Sequence, residues 1–474
     1  MPQSSDMAQN LEGFTYDFDP SILRAYDVRG EIGTTLKEED CYAIGRAFGT
    51  IVARRGGKTV CIGFDGRETS PKFADMVIDG LMTSGLDVTV VGLGPSPMVY
   101  FGMHHFESDA SVVVTGSHSP VTHNGIKMSL IDRPFYGDDI QELGRLARAG
   151  DLVTAEGHRT DVDIKELYVD RLVQDYDCGA ELSVAWDAGN GAAGAILPML
   201  VEKLPGKHVM LYEDVDGSFP NHHPDPTVAK NLVDLQEVVK REGCDIGIGF
   251  DGDGDRIGAV NENADILWAD IILALYAGEV LKTHPGAHVI ADVKVSRVLF
   301  DEIERLGGKP VMCQTGHSII KAKMKELNSP LAGELAGHIC FGDKFYGFDD
   351  GPYCAVRLLN LLGHSGKKLS ELTAHLPEMY NTPEVRFEVP EERKFDIPQE
   401  VLQNLRDIAE DNWDICDIDG IRLTTEDGWL LLRSSNTESV LTARVEAFTA
   451  EGLARLKKML IDQLAATGID FPDE

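Results

Sequence analysis

The chain has no Cys-x-x-Cys pair. Its eight cysteines stand apart, at Cys41, Cys61, Cys178, Cys244, Cys313, Cys340, Cys354 and Cys416. That spacing argues against a thiolate metal cluster and reads as buried thiols in a reducing compartment. The N-terminal stretch MPQSSDMAQNLEGF has no basic region followed by an apolar one, so no signal peptide is expected. No apolar run reaches the ~18 residues that a membrane span needs. Basic charge is scarce: 44 Lys and Arg face 78 Asp and Glu, a formal charge of −34. Such a chain does not bind nucleic acid or an anionic membrane non-specifically. A cytoplasmic protein, monomeric and without nucleic-acid or membrane partners, is expected. If its substrate is an anion, the few basic residues must gather locally around it.

With 474 residues, 43% of them hydrophobic, the chain can bury more than one core. Apolar runs end repeatedly on glycine-bearing turns: TVCIGFDGR (59–67), DVTVVGLGPSP (87–97), SVVVTGSHSP (111–120), LSVAWDAGNGAAG (182–194), CDIGIGFDGDGDR (244–256), HVIADVKVSR (288–297) and KPVMCQTGHS (309–318). Continuous Val/Ile runs alternating with helical patterns predict α/β domains with largely parallel sheets. One such helix places Leu232, Leu235, Val238 and Val239 on a face and stops at Gly243. Near the end, IRLTTEDGWLLLRSS (421–435) predicts a hairpin turning at Glu426-Asp427-Gly428. After it, Thr449 can cap a helix with Leu453, Leu456, Leu460 and Leu464 on one face. The last hundred residues therefore read as α+β. Thr115-Gly116-Ser117-His118 is partly echoed by Thr315-Gly316-His317-Ser318, a hint of a duplicated unit. Boundaries near Val162, Ala264 and Pro377 give four domains, 1–162, 163–264, 265–377 and 378–474.

The sharpest local signal is Asp251-Gly252-Asp253-Gly254-Asp255-Arg256, directly after IGIGF. Two unit charges ~4 Å apart repel by ~4 kcal/mol at an effective dielectric of about 20. Three crowded aspartates must therefore hold a cation or splay into water. All-oxygen ligands suit a hard ion, Mg²⁺ in particular. A calcium hand would close on Glu262, but its sixth position requires glycine and is Arg256 here. A solvated acidic turn is the plainer alternative, and the buried strand before the loop argues against it.

TGSHSP admits several readings. It can be a simple turn. A Ser-His nucleophile pair is disfavoured, because adjacent side chains rarely point at each other, and Ser119-Pro120 breaks a hydrolase elbow. A serine at the end of a parallel strand, near a helix N-terminus, can instead carry a phosphoryl group. Mg²⁺ could then bridge it and the aspartates.

Taken together, these motifs resemble the α-D-phosphohexomutases, most closely the bacterial phosphomannomutase/phosphoglucomutase group, over nearly the whole chain. The phosphoserine loop corresponds to TGSHSP, with Ser119 where the family usually has Asn. THNGIKM brings Lys127, and the metal loop is DGDGDR. The sugar loop, usually GEMSGH, reads GELAGH (333–338), and the phosphate loop, usually RASNTEP, reads RSSNTES (433–439). RAYDVRG carries Tyr26 and Arg29, DVK carries Lys294 and TGHS carries His317.

The resemblance implies three related mixed α/β domains and a smaller C-terminal α+β phosphate-binding domain around a central cleft, with a hinge near Pro377. It implies Ser117, Lys127, Arg29, His317 and His118 as the catalytic set, and Mg²⁺ on Ser117, Asp251, Asp253 and Asp255. Substrate contacts are implied for Tyr26, Arg256, Lys294, Glu334, Ala336, His338, Arg433, Ser435, Asn436 and Thr437. The implied activity interconverts hexose 1-phosphate and hexose 6-phosphate, of mannose or glucose, with glucose or mannose 1,6-bisphosphate as intermediate and activator. Two alternatives stand beside it. Leu335 argues against a phosphoglucosamine mutase, which usually has a polar residue there. Intact Ser117, Lys127 and aspartates argue against a non-catalytic sugar-phosphate sensor.

Overall fold

In the computed structural model, which describes residues 13–435 and 440–472, three apolar strands end at a buried aspartate. Thr59–Phe64 runs into Asp65, Leu182–Asp187 ends on Asp187 and His288–Asp292 ends on Asp292. Each strand is flanked on both sides by parallel partners: Asp87–Leu93 and Ala110–Val114, Gly206–Leu211 and Ile246–Phe250, and Lys309–Cys313 and Leu331–Gly333. Each aspartate accepts a backbone N–H just beyond the strands: Arg67 at 3.0 Å, Gly189 at 2.9 Å and Leu335 at 3.0 Å. This common plan explains the Thr-Gly echo. Thr115 Oγ1 donates to Asp65 at 2.8 Å, as Thr315 Oγ1 donates to Asp292 at 3.1 Å. Beyond the threonines the two copies part: residues 115–122 form a turn, whereas His317 starts the helix His317–Leu327.

The sheets are mixed rather than largely parallel. Ala110–Val114 is antiparallel to His123–Leu130, and Ile246–Phe250 is antiparallel to Ile257–Asn261. The intervening turns, 115–122 and 251–256, are too short for the crossover that parallel neighbours need. No helix therefore follows Ser117 directly, contrary to the expected helix N-terminus.

The chain divides into two units. The first comprises Met1–Ile272 and Ala336–Leu372, the second Leu273–Leu335 and Thr373–Glu474. The first unit holds a seven-stranded and a five-stranded sheet. Behind the serine turn its core packs Val60, Ile62, Val112 and Val114 with Phe48, Phe73 and Val77. Each such side chain contributes about 1.5–3 kcal/mol by burial, which gives the turn a stiff base. The helix Val233–Glu242 ends, as its pattern predicts, at left-handed Gly243 (φ 64°).

In the second unit the C-terminal segment is α+β, as expected. Ile421–Thr424 and Gly428–Ser434 pair antiparallel around the Glu426-Asp427-Gly428 turn. Thr449 caps Ala450–Ala466 by accepting from Gly452 N at 3.0 Å, and Leu456, Leu460 and Leu464 are buried against the sheet.

Candidate active site

Asp251, Asp253 and Asp255 are fully buried, and one oxygen of each lies within 4.8 Å of the others. The strand Ile246–Phe250 delivers them, and Gly254 turns the loop with φ 72°. A Cβ on Gly252 would lie 2.4 Å from the carbonyl oxygen of Ser117, so only glycine lets the aspartate loop and the serine turn abut. Lys127 Nζ bridges Asp253 Oδ2 at 2.7 Å and Asp255 Oδ2 at 2.5 Å. It reaches them because Ile126 and Met128, its neighbours on the strand, face the core. Burial alone would neutralise this lysine, but the two aspartates outweigh it and hold it charged. Burial likewise works against charge on Asp253, and Lys127 more than offsets it. Asp251 is pushed up by burial and by its fellow aspartates.

Two buried oxygens, Oδ1 of Asp253 and Oδ1 of Asp255, have no hydrogen-bond partner. An orphaned buried carboxylate oxygen is costly unless something binds it. Crowded carboxylate oxygens beside a serine hydroxyl fit a hard divalent cation.

Ser117 sits at the floor of the turn, 2% exposed, with left-handed φ 48°. A non-glycine residue held there stores roughly 1–3 kcal/mol of strain. Its Oγ donates to Asp251 Oδ2 at 2.9 Å and lies 3.1 Å from His118 Nδ1. The objection to adjacent Ser and His side chains meeting therefore fails here, because the left-handed backbone swings them together. Burial, then Arg256 and Arg29, push the His118 imidazole well below the usual histidine range. Arg29 Nη1 donates to Ser119 Oγ at 2.8 Å, and its Nη2 pairs with Asp27 at 2.5 Å. Tyr26 is half-buried, just ahead of the strand Val28–Glu31.

His338 lies beside the aspartate loop. Arg256 Nε is 3.0 Å from its Nε2 and 3.7 Å from Asp251 Oδ2, while Asp349 Oδ2 is 2.9 Å from its Nδ1. Ala336, partly exposed, belongs to the same segment.

The second unit carries the remaining candidates. Glu334, buried, accepts from Gly316 N, next to His317 at the start of its helix. His317 Nδ1 is 3.2 Å from Lys321 Nζ. Lys294 Nζ lies 3.5 Å from Glu384 and 4.0 Å from Asp292. Burial pushes the Asp292 carboxyl up to about 6, with Lys294 opposing and Glu334 adding to the rise. Arg433 Nε donates to Asp419 Oδ2 at 3.0 Å, and the same oxygen accepts from Thr315 N at 3.0 Å. Ser435 N donates to Val440 O at 2.9 Å, next to the antiparallel pair Ser434 and Leu441. Asn436 and Thr437 lie outside the described residues.

Four family models match in order along the chain. They are the phosphoglucomutase/phosphomannomutase alpha/beta/alpha domains I (20–150), II (166–264) and III (268–380) and the C-terminal domain (384–463). The chain belongs to the phosphoglucomutase/phosphomannomutase family. It is thus an enzyme of the phosphotransferase isomerase class, built of three mixed α/β domains and a C-terminal α+β domain. Pseudomonas aeruginosa "Phosphomannomutase/phosphoglucomutase" is 42% identical over 452 residues, covering 95% of this chain and 97% of that one. Neisseria gonorrhoeae "Phosphoglucomutase" is 39% identical over 440 residues, covering 92% and 95%. The crystal structure of a Burkholderia thailandensis phosphoglucomutase/phosphomannomutase family protein matches with a TM-score of 0.89 at 39% identity, covering 95% of this chain and 98% of that one. Among the described residues no helix is long and apolar enough to cross a membrane.

Within this family member, several buried groups at the site escape a reading of the motifs. Arg67, 2% exposed, donates to the carbonyls of Ser117 (2.8 Å), Ser119 (2.6 Å), Pro120 (2.8 Å) and His123 (2.9 Å). Asp65 accepts from Thr115 Oγ1 and from Gly116 N at 3.0 Å, and a Cβ on Gly116 would strike the Arg67 guanidinium at 2.3 Å. Asp65-Gly66-Arg67 follows an apolar strand just as the aspartate loop does, and that repeat was the available signal. Ser96 opens the helix Ser96–His105. Its N–H donates to Asp253 O at 2.8 Å and its hydroxyl to Asp253 Oδ2. A helix start thus abuts the aspartate loop at Asp253 rather than following Ser117. Asp349 is the fourth.

Proposed function

We propose that the chain interconverts hexose 1-phosphate and hexose 6-phosphate, of mannose or glucose, through phosphoserine at Ser117 and a 1,6-bisphosphosugar. The observation that carries this reading is the 2.9 Å hydrogen bond from Ser117 Oγ to Asp251 within a buried trio of carboxylates. The relatives at 39–42% identity bear mannose and glucose names, which favours those sugars over glucosamine.

A free sugar hydroxyl attacks the phosphorus on Ser117. The new O–P bond forms as the Oγ–P bond breaks; His118, with Nδ1 3.1 Å from Oγ, delivers a proton to the departing Oγ, and His317 takes the proton that the attacking hydroxyl gives up. The bisphosphosugar then returns its other phosphoryl group to Ser117, so phosphate moves between O1 and O6. Asp251, Asp253, Asp255 and the phosphorylated Ser117 would hold Mg²⁺, which when bound offsets charge on the phosphoryl oxygens. Lys127 keeps Asp253 and Asp255 in place and, with Arg256 and Arg29, adds positive potential where charge develops. Arg433, Ser435, Asn436 and Thr437 grip the phosphate that is not reacting, with Tyr26 and Lys294 assisting. Glu334, Ala336 and His338 face the sugar, and His317 serves as a second acid or base. The four domains divide at 162, 264 and 377. A cytoplasmic setting accords with eight cysteines present as thiols.

A Mg²⁺-dependent assay on glucose 1-phosphate, mannose 1-phosphate and glucosamine 1-phosphate in parallel tests this. Turnover of the first two, abolished in Ser117→Ala, supports it. Activity that survives in Ser117→Ala refutes it.

A further inference from the structure

An antiparallel sheet with one packed face commonly turns the other to water. The C-terminal sheet buries both. Leu430 and Leu432 of the strand Gly428–Ser434 point into the C-terminal core, with Leu441, Ala443 and Val445 of the neighbouring strand Val440–Ala447. The opposite face carries Trp429 and Leu431, paired across the ladder with Glu446 and Arg444, and Arg422, paired with Leu431 on its other side. Arg422 is 2% exposed and Glu446 1%. Charged side chains sink this far only when they are paired or hydrogen-bonded.

Their partners belong to the turn that carries Lys294, in the same unit of the chain. Val293 packs on Trp429 and Leu431. Arg422 Nη1 donates to the carbonyls of Val293 at 2.6 Å and Val295 at 2.8 Å, and Arg444 Nη1 donates to the carbonyl of Lys294 at 2.7 Å. Two guanidinium groups thus hold three successive carbonyls. Glu446 Oε1 accepts from Trp429 Nε1 at 2.8 Å, Ser296 Oγ at 2.9 Å and Arg297 N at 3.1 Å, which fixes the far end of the turn. The strand face that presents Trp429 and Leu431 continues to Arg433. Burial alone would push the Glu384 carboxyl up, but Lys294, then Arg386 and Arg433, hold it below its usual range. Lys294 and Arg433 therefore act on one spot.

We propose that Arg422 and Arg444 are positioning residues: by gripping the carbonyls of residues 293–295 they aim the Lys294 ammonium at the substrate phosphate that Arg433 holds. The proposal rests on the mutase reading above, which gives Lys294 its substrate. Neither arginine needs to touch the sugar phosphate, because each acts through the backbone of the lysine.

The test is a double-mutant cycle on the full-length protein, with Arg422→Met, Lys294→Met and the two combined. Methionine keeps an apolar stem over Trp429 and removes the donor. Calorimetry without Mg²⁺, which keeps turnover from intervening, reads the Kd of glucose 1-phosphate in each. Each single change is expected to raise Kd about tenfold. The combined change should stay within about threefold of either, because both remove the same interaction. An arginine that only stabilises the fold would instead multiply with Lys294→Met to about 100-fold. A combined loss beyond about threefold of the single ones overturns the proposal. Unchanged Kd in either single variant overturns it too, as does a lack of binding by the unsubstituted protein. Should Arg422→Met fail to fold, Arg444→Met, which loses the bond to the Lys294 carbonyl, goes through the same cycle under the same criteria. Unsubstituted protein with no activity on any of the three sugars would refute the mutase reading, and the binding cycle would still decide whether the arginines act through Lys294.

Discussion

Arg67 Nη2 donates to the carbonyl oxygen of Ser117 at 2.8 Å, so a buried guanidinium holds the backbone of the proposed phosphoryl carrier from behind. Three further carbonyls of the same turn accept from this side chain. A lysine has no planar fork and cannot meet four acceptors. Each buried carbonyl left without a donor costs about 1–3 kcal/mol. Arg67→Lys should therefore lower kcat about 100-fold through displacement of Ser117 and also lower the thermal midpoint. Steady-state kinetics and thermal unfolding check both.

Gly252→Ala should act on the metal loop. Its new Cβ would meet a backbone oxygen 2.4 Å away, which forces the serine turn and the aspartates apart. The concentration of Mg²⁺ giving half-maximal activity should rise at least about tenfold, read from a Mg²⁺ titration. Gly243→Ala is the contrast. Its position has φ 64° and open space, so about 1 kcal/mol of stability should be lost with kcat unchanged.

At residue 336 the family's usual serine is replaced by alanine. Restoring it in Ala336→Ser adds a hydroxyl able to bond the sugar, about 0.5–1.5 kcal/mol. An increase in kcat/KM of up to about tenfold is expected on at least one hexose phosphate. No change on any of them would refute a sugar-facing role for this position.

Asp350 supplies a pH dependence. It caps Gly351–Ser365, accepting from Tyr353 N and from the Tyr168 hydroxyl, each at 2.8 Å. Burial pushes its carboxyl up to about 7. The folded chain therefore keeps a proton that the unfolded chain releases near about pH 4. Its contribution to stability falls as pH rises between these values and stays low above them. Asp350→Asn retains a capping side chain and does not titrate. The thermal midpoint of the variant relative to the unsubstituted protein should rise from about pH 5 to about pH 8. A constant difference would contradict this.

The parts of the site legible in the sequence were those whose chemistry is local. Asp251, Asp253 and Asp255 stand close enough that their repulsion demands a cation, and the strand before them signals burial. Ser117 was legible only in combination with that loop. Strand direction was not, because a strand buried on both faces, such as Ala110–Val114, reads alike whether its neighbour is parallel or antiparallel. The short turn after Val114 could have decided it. Arg67 and Ser96 were hidden for another reason: each meets the site through contacts with segments far away in the chain, and a lone Arg or Ser carries no mark of that.

The most direct test of the central claim is peptide mass spectrometry after incubation with glucose 1,6-bisphosphate and Mg²⁺. One phosphate on the peptide containing Ser117, absent in Ser117→Ala, is the expected result. Phosphate on an aspartate of the 251–255 loop, or on no residue while turnover proceeds, would contradict it.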